Sequence, residues 1–520
     1  MHRLPTFVRR PPLGLNLSVL WPAAVAVLNA AAFLVVRPGV NDLWAARARA
    51  SAVSHGVGLT YWFSWFGGGS TPGNYSVLSP YLSALLTAEL VGALSAVAIT
   101  LSSAVLLRDT RYPVAGTAVA TVAAGINLWS GRVPFLLGTA FAVGALIAVR
   151  NQKRVAAAVI TVLSIASSPV SGAFLALALA ATFITTKPYR RISITTLAAI
   201  VVSLGVVGLA FGAPGPQHFS WQLFLEAIGA LLLFLIARPP ELLRSLIWLS
   251  MLTALAMWLI PNGMGSNFGR MIWFCLPVAV VATGGRKLWM SLLLVSPVLL
   301  SSANLTVSDL RGAGNPIASK WYYTPLAREL DKISGLTNYR LEVVAEGAHA
   351  AYDALLDHAM LARGWETQED NALNRTLKSS TLDATTYKIW LGNNSVGYVA
   401  LPRSKPEKYP EFALVSSGRL PYLHEVWKSP DWTLYRVSDP TPIVAAPQKV
   451  LTYSQSKLIL RATCACTFSV RIRYSRYLRA DPVSGSGRAT VVTDRSGYTS
   501  MTTSVPGDYV LHGTVTTLFR

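Results

Sequence analysis

Residues 20–50 read LWPAAVAVLNAAAFLVVRPGVNDLWAARARA, and the fold follows from how this stretch changes character along its length. Residues 20–37 form an apolar run close to the ~20 residues that a helix needs to cross a bilayer. The run ends in VVRPGVND without a small-residue cleavage site, so it reads as a first transmembrane helix and not as a cleaved signal. An acid, Asp42, follows within a few residues. It opens a loop, 38–77, that is long for a membrane protein and rich in aromatics: Trp44, Tyr61, Trp62, Phe63, Trp65, Phe66 and Tyr75.

The apolar character recurs downstream. Of 520 residues, 52% are hydrophobic and 13% charged, against about 25% charged in soluble domains, and the mean hydropathy is +0.43. A soluble enzyme is excluded. The long apolar runs also exclude a disordered or fibrous chain. Three cysteines exclude a disulfide scaffold and a cysteine-rich zinc module. Runs at 20–37, 78–107, 114–130, 133–149, 155–169, 171–186, 192–212, 219–236, 244–260, 271–284 and 288–304 suggest about eleven transmembrane crossings. The hairpins 114–149 and 155–186 are short and have the polar tips NLWSGRVP and SSPVSG.

Charge orients this bundle. Residues 1–304 hold 20 Lys and Arg but five acids: Asp42, Glu89, Asp109, Glu226 and Glu241. Fifteen of the basic residues fall in Met1–Pro11, Arg108–Pro113, Arg150–Arg154, Lys187–Arg191, Arg238–Arg244 and Arg286–Lys287. These segments alternate with loops holding only Arg37, Arg47, Arg49, Arg132 and Arg270. The positive-inside rule then predicts a cytoplasmic N-terminus in a plasma membrane, and an odd number of crossings predicts an extracytoplasmic C-terminal region. The net charge of +21 is therefore a topogenic signal in large part. No nucleic-acid motif accompanies it, and no nucleic-acid partner is expected.

From residue 305 the composition becomes that of a soluble domain, with 25 basic and 19 acidic residues. Residues 305–447 mix RLEVV, the helical stretch AYDALLDHAMLARGW at 351–365, VGYVAL and WTLYRV, an α+β pattern. Residues 448–520 alternate in short runs between turn residues, at the spacing of a β-sandwich. Cys464 and Cys466 lie two apart, an offset that favours two packed side chains over a redox or metal pair, although an oxidising exterior permits a disulfide.

No phosphate-loop, dinucleotide, zinc-protease or nucleophile-elbow motif is present, and the seven histidines form no metal-ligand cluster. Chemistry must come from polar residues where the bundle meets the exterior. Asp42 is the only acid in an outward loop; it reads either as a helix-start residue or as a catalytic one. Arg132 in WSGRVPF and Arg270 in NGMGSNFGR suit an external anion such as phosphate, or snorkel to headgroups. Glu89, read as mid-helix, and Glu226, one to two turns into its helix, are ion or proton sites or partners of an arginine.

This layout resembles the GT-C glycosyltransferases, polytopic enzymes that use polyprenyl-phosphate-linked sugars. SGRVPFLLG, SIASSPVSG, RGWETQEDNALN and WTLYRV are also similar to a group of actinobacterial multi-pass membrane proteins of that type. The chain departs from better-known members in having a single Asp42 where many show a paired acidic motif. The resemblance implies inverting transfer from a polyprenyl-phosphate sugar to a cell-envelope glycan or lipid on the extracytoplasmic face. It implies Asp42 as general base, with Arg132 and Arg270 on the lipid phosphate. Trp44, His55, Tyr75 and Glu226 join them as substrate-binding candidates, and first-loop aromatics would stack on sugars. No cofactor is implied beyond the donor, and no metal ligand is assigned. The rival readings are a transporter or flippase of envelope precursors, supported by the broken hairpins and buried acids, and a non-catalytic envelope-assembly scaffold.

Overall fold

The structure is a computed structural model that describes residues 20–68, 71–212, 215–344, 348–403 and 409–514. The basic segment Met1–Pro11 lies outside the described residues. Helix α1 (Leu20–Val36) stops where Pro38 would break the hydrogen-bond ladder, and Arg37 takes a φ of 45°. The chain then bends by 72° into α2 (Asn41–Ser54).

The apolar run expected at 78–107 is two helices, α3 (Ser79–Leu86) and α4 (Ala88–Leu107). Thr87, at φ 79°, separates them, and its hydroxyl accepts the Leu90 amide to cap α4. Glu89 therefore stands in the first turn of α4 and not at mid-helix, where Arg47 Nη2 pairs with it at 2.7 Å. It is a structural ion pair between α2 and α4.

The bundle continues with α5 (Pro113–Trp129), α6 (Val133–Arg150), α7 (Arg154–Ser167), α8 (Pro169–Thr185), α9 (Arg190–Phe211), α10 (Trp221–Ile236) and α11 (Glu241–Leu259). A 3-10 turn, Gly265–Phe268, and a π turn, Met271–Cys275, lead into α12 (Leu276–Thr283), followed by α13 (Leu288–Ala313). Among the described residues six helices are long and apolar enough to cross a membrane, or seven with the bent α1–α2 pair as one span. These helices mark the chain as a membrane protein. The eleven crossings suggested by the sequence exceed this count for a geometric reason. Helices α5, α7, α8 and α10 have 14 to 17 residues, and at 1.5 Å per residue they reach about 21–26 Å against a ~30 Å core. Helix α13 also runs past residue 304, where composition changes, so that Asp309 belongs to the bundle.

The C-terminal region holds α14 (Lys320–Leu330), β1 (Arg340–Val343), α15 (Ala351–Ala354), α16 (Thr367–Leu373), α17 (Ala384–Asn393), β2 (Val396–Pro402), α18 (Pro410–Ser416), β3 (Leu423–Lys428) and β4 (Trp432–Val437). The sheet order is β1-β2-β4-β3, with β1 and β2 parallel. The helix expected over 351–365 ends at Ala354, because the chain beyond it extends along β1: Leu341 N donates to Met360 O at 2.8 Å and Ala362 N to Leu341 O at 2.9 Å. Tertiary pairing overrides the helical periodicity there.

Strands β5 (Lys449–Ser454), β6 (Lys457–Ala462), β7 (Thr467–Arg473), β8 (Leu478–Pro482), β9 (Ala489–Thr493), β10 (Tyr498–Thr503) and β11 (Gly507–Gly513) make two sheets, β5-β6-β11-β8 and β7-β10-β9. Alternate residues Leu458, Leu460, Val470, Ile472, Met501 and Leu511 fill the space between them. Cys464 and Cys466, between β6 and β7, are joined as a disulfide, which corrects the expectation of two packed thiols.

The first loop is built into this C-terminal region. Trp62, Phe63, Trp65 and Phe66 are buried; Trp62 stacks on Trp65 at 5.1 Å, and Trp365 meets Trp65 at 3.9 Å. Tyr61 Oη donates to Arg473 O at 2.7 Å, and Arg473 Nε donates to Phe66 O at 3.2 Å. These aromatics are interface core, so they are not free to stack on sugars as the resemblance implied. Burying large rings is worth several kcal/mol in total, and this fastens the C-terminal region over one end of the bundle.

Candidate functional site

Asp42, Ala45, Ala46 and Arg49 stand at i, i+3, i+4 and i+7 of α2, so one helix face carries both charges. That face forms one wall of a narrow cavity. Tyr75, Ser76, Ser79 and Pro80 close it on one side, Gly131, Arg132, Pro134 and Phe135 on another, and Arg270 on a third. The cavity is narrow, with a volume of about 20 Å³, so an anion larger than a water enters only as the side chains around it part.

Asp42 is the second residue of α2, and the residue at the N-cap, Val40, offers no side-chain cap. An acid in the first turn is favoured by the helix dipole, but its carboxylate is turned toward Arg132, with Oδ2 at 3.6 Å from Nε. The turn between α5 and α6 sets this separation. Gly131, at φ 74°, lies so close to α2 that a Cβ there would come within 2.4 Å of Leu43 N. Only glycine combines that left-handed conformation with that approach.

The two arginines hold each other's scaffold. Arg132 precedes α6 and lies over the ring of Phe274, in the π turn that Arg270 precedes. Arg270 lies over Phe135, from the first turn of α6. Ring faces attract guanidinium ions without consuming their hydrogen-bond donors. Arg132 is loosely tied, with Nη1 donating to Asn127 Oδ1 at 3.5 Å and Nε lacking a hydrogen-bond partner. A π turn inside a helical span is itself a frequent mark of a functional site.

Three residues that the sequence reading did not single out complete the surroundings. Arg49 is 6% exposed, and neither Nη1 nor Nη2 has a hydrogen-bond partner. Asp309 of α13 hydrogen-bonds Ser130 and acts electrostatically on Arg132 alongside Asp42. His349, from the C-terminal region, hydrogen-bonds the Asn41 backbone; burial lowers its pKa, and the charge of Asp42 works against that shift. The i+7 spacing from Asp42 could have revealed Arg49. No local signal points to Asp309 or His349.

The structure thus brings Asp42, Arg132, Arg270 and Tyr75 to one cavity. Trp44, His55 and Glu226 do not line it. Trp44 is buried, with Nε1 donating to Ala318 O at 2.8 Å. The ring of His55 caps the end of α2, with Nδ1 donating to Ser51 O at 2.8 Å and Nε2 3.6 Å from Asp357. Glu226 is exposed on α10. Among the described residues no group of three His, Cys, Asp or Glu could hold a metal ion.

Phe135 also lines a second, apolar cavity of about 210 Å³. It lies within the bundle between α4, α5, α6, α8 and the Met271–Ala279 segment, and Ile99, Leu136, Phe174 and Phe274 are among its walls. A polar pocket with three guanidinium groups therefore abuts a greasy chamber across one phenyl ring. That arrangement suits an amphiphile with an anionic head.

No family model matches the chain, and no curated protein matches it in sequence. Among solved structures it is similar to the Archaeoglobus fulgidus oligosaccharyltransferase in its apo form, at 13% identity and a TM-score of 0.46, over 74% of this chain and 69% of that one.

Proposed function

We propose that this membrane protein is a glycosyltransferase that moves a sugar from a polyprenyl-phosphate donor to a cell-envelope glycan or lipid on the extracytoplasmic face. The observation that carries the reading is the convergence of Asp42, Arg132 and Arg270, from three separate parts of the chain, on one cavity beside an apolar chamber. The distribution of basic loops supports an extracytoplasmic position for that cavity and for the C-terminal region above it.

In the proposed reaction the acceptor hydroxyl attacks the anomeric carbon, and the bond from that carbon to the phosphate oxygen breaks. The phosphate leaves with the bonding electrons, and Asp42 takes the acceptor's proton. General-base assistance contributes roughly 10²–10⁴-fold. Arg132 and Arg270 stabilise the charge developing on the leaving phosphate, usually the larger contribution. The 3.6 Å Asp42–Arg132 pair explains how both groups are stored. A bound phosphate draws the guanidinium toward itself and frees the carboxylate to act as base. The prenyl chain would occupy the apolar cavity.

Asp42→Asn tests the assignment. The amide keeps the size of the side chain but takes up no proton at neutral pH, and Asn serves at a helix start nearly as well as Asp. Transfer from a synthetic polyprenyl-phosphate sugar by purified protein should fall about 10²–10⁴-fold, with the melting temperature lowered by no more than a few degrees. Transfer at the wild-type rate would remove Asp42 as the base.

A further inference from the structure

We infer that Arg49 is a third anion-binding side chain of the Asp42 cavity, and that Glu366, carried in by the C-terminal region, controls its availability. The inference rests on the reading of that cavity as a phosphate site.

A guanidinium taken out of water needs acceptors, and leaving it without them is costly. Arg49 is buried, yet neither of its terminal nitrogens has a partner. It lies 5.4 Å from the Trp62 ring centroid, and Tyr81 and Glu366 are the groups that act on it electrostatically. It also lines the cavity on the same face of α2 as Asp42. Three arginines against one aspartate leave the cavity positive, which a phosphate monoester would offset.

Glu366 would neutralise Arg49 if it were an ionised partner, but the two form no ion pair within 4.0 Å. Glu366 is 5% exposed and its Oε1 lacks a partner. Burial and the neighbouring Glu369 push its carboxyl up to about 8, against the pull of Arg49. Held up in this way, the carboxyl favours its protonated form at neutral pH, and Arg49 keeps its charge for a ligand. As pH rises through that range the carboxylate forms beside Arg49 and competes with an incoming anion.

Glu366 is held in place by its neighbours in RGWETQEDNALN. Trp365 packs on Trp65 at 3.9 Å, and Arg363 forms a two-point pair with Asp370 at 3.0 and 2.9 Å. The motif thus fixes a proton-sensitive group of the C-terminal region against a charge in the bundle.

The test is calorimetric titration of farnesyl phosphate into the full chain in detergent, with inorganic phosphate in parallel. Arg49→Gln should weaken farnesyl phosphate binding by about 30-fold or more at pH 7. Arg49→Lys keeps the charge without the planar fork and should fall between the two. Wild-type affinity should drop between pH 7 and 9, and Glu366→Gln should abolish that drop. The ligand is already a dianion over this range, so its own titration does not produce the effect. If Arg49→Gln fails to fold, the Lys variant and the Glu366→Gln pH profile decide the matter.

Full affinity in both Arg49 variants, with binding lost in Arg132→Gln, would overturn the role of Arg49 and leave the phosphate site standing. No binding by the wild type would overturn the phosphate site and this inference together. An affinity for inorganic phosphate equal to that for farnesyl phosphate would overturn a lipid as the source of the anion.

Discussion

Replacing Gly131 with alanine tests the link between fold and site. The new Cβ would lie 2.4 Å from Leu43 N and 2.6 Å from Leu43 Cβ, whereas carbon atoms rest about 3.5–4.0 Å apart. Relief requires the α5–α6 turn to move about 1 Å off α2. A φ of 74° costs an L-residue a further ~1–2 kcal/mol, and overpacking adds about 1–3 kcal/mol. The protein should remain folded but lose about 2–5 kcal/mol of stability. Arg132 rides on the turn that moves, so its 3.6 Å approach to Asp42 lengthens. A misplacement of 1 Å can lower turnover by about 10²-fold. The assay is kcat/KM for sugar transfer, measured beside a thermal melt in detergent. A variant with wild-type melting and wild-type turnover would show that this turn does not press on α2, and the account of the site's geometry would fail.

Two other substitutions probe the C-terminal region. Arg363 meets Glu342, Asp370 and Glu411, all buried. Burial raises both glutamates, most strongly Glu342; at Asp370 burial acts in the same direction, but Arg363 and Lys378 overcome it and hold the carboxyl at about 2. The Asp370 contribution is present above its unfolded pKa and is lost as pH falls toward 2, whereas the raised glutamates cost stability as pH rises above about 4.3. Arg363→Met should therefore cost about 3–5 kcal/mol at pH 7. For each extra proton its folded state retains, that deficit should narrow by about 2.7 kcal/mol on going to pH 5, at 1.36 kcal/mol per unit. Urea titrations at the two pH values, with equal deficits as the contrary result, decide this. Trp65→Ala removes the ring between Trp62 and Trp365 and should cost about 3–5 kcal/mol. Hydrogen exchange should then quicken in residues 61–68 and 351–366 first, and uniform protection there would contradict the interface described.

The apolar runs, the change of composition near residue 305 and the strand-rich C-terminal end were legible in the sequence because each depends on local composition. Lipid and water impose their demands residue by residue, and a strand alternates over a few positions. Asp42, Arg132 and Arg270 stood out for the same reason, as charges where charge is scarce. Their convergence was not legible, since it depends on the pressure of Gly131 against Leu43 and on the crossed packing of Arg132 on Phe274 and Arg270 on Phe135. Trp44 and His55 looked equally eligible until the fold gave their donors to Ala318 and Ser51. The aromatic first loop looked like a sugar platform until Trp365 was found against it. Arg49 and Glu366 are 317 positions apart, and only the seating of the C-terminal region on α2 makes them neighbours. Composition acts locally and can be read along the chain; which charges share a cavity is decided by contacts between distant segments, and those exist only once the chain is packed.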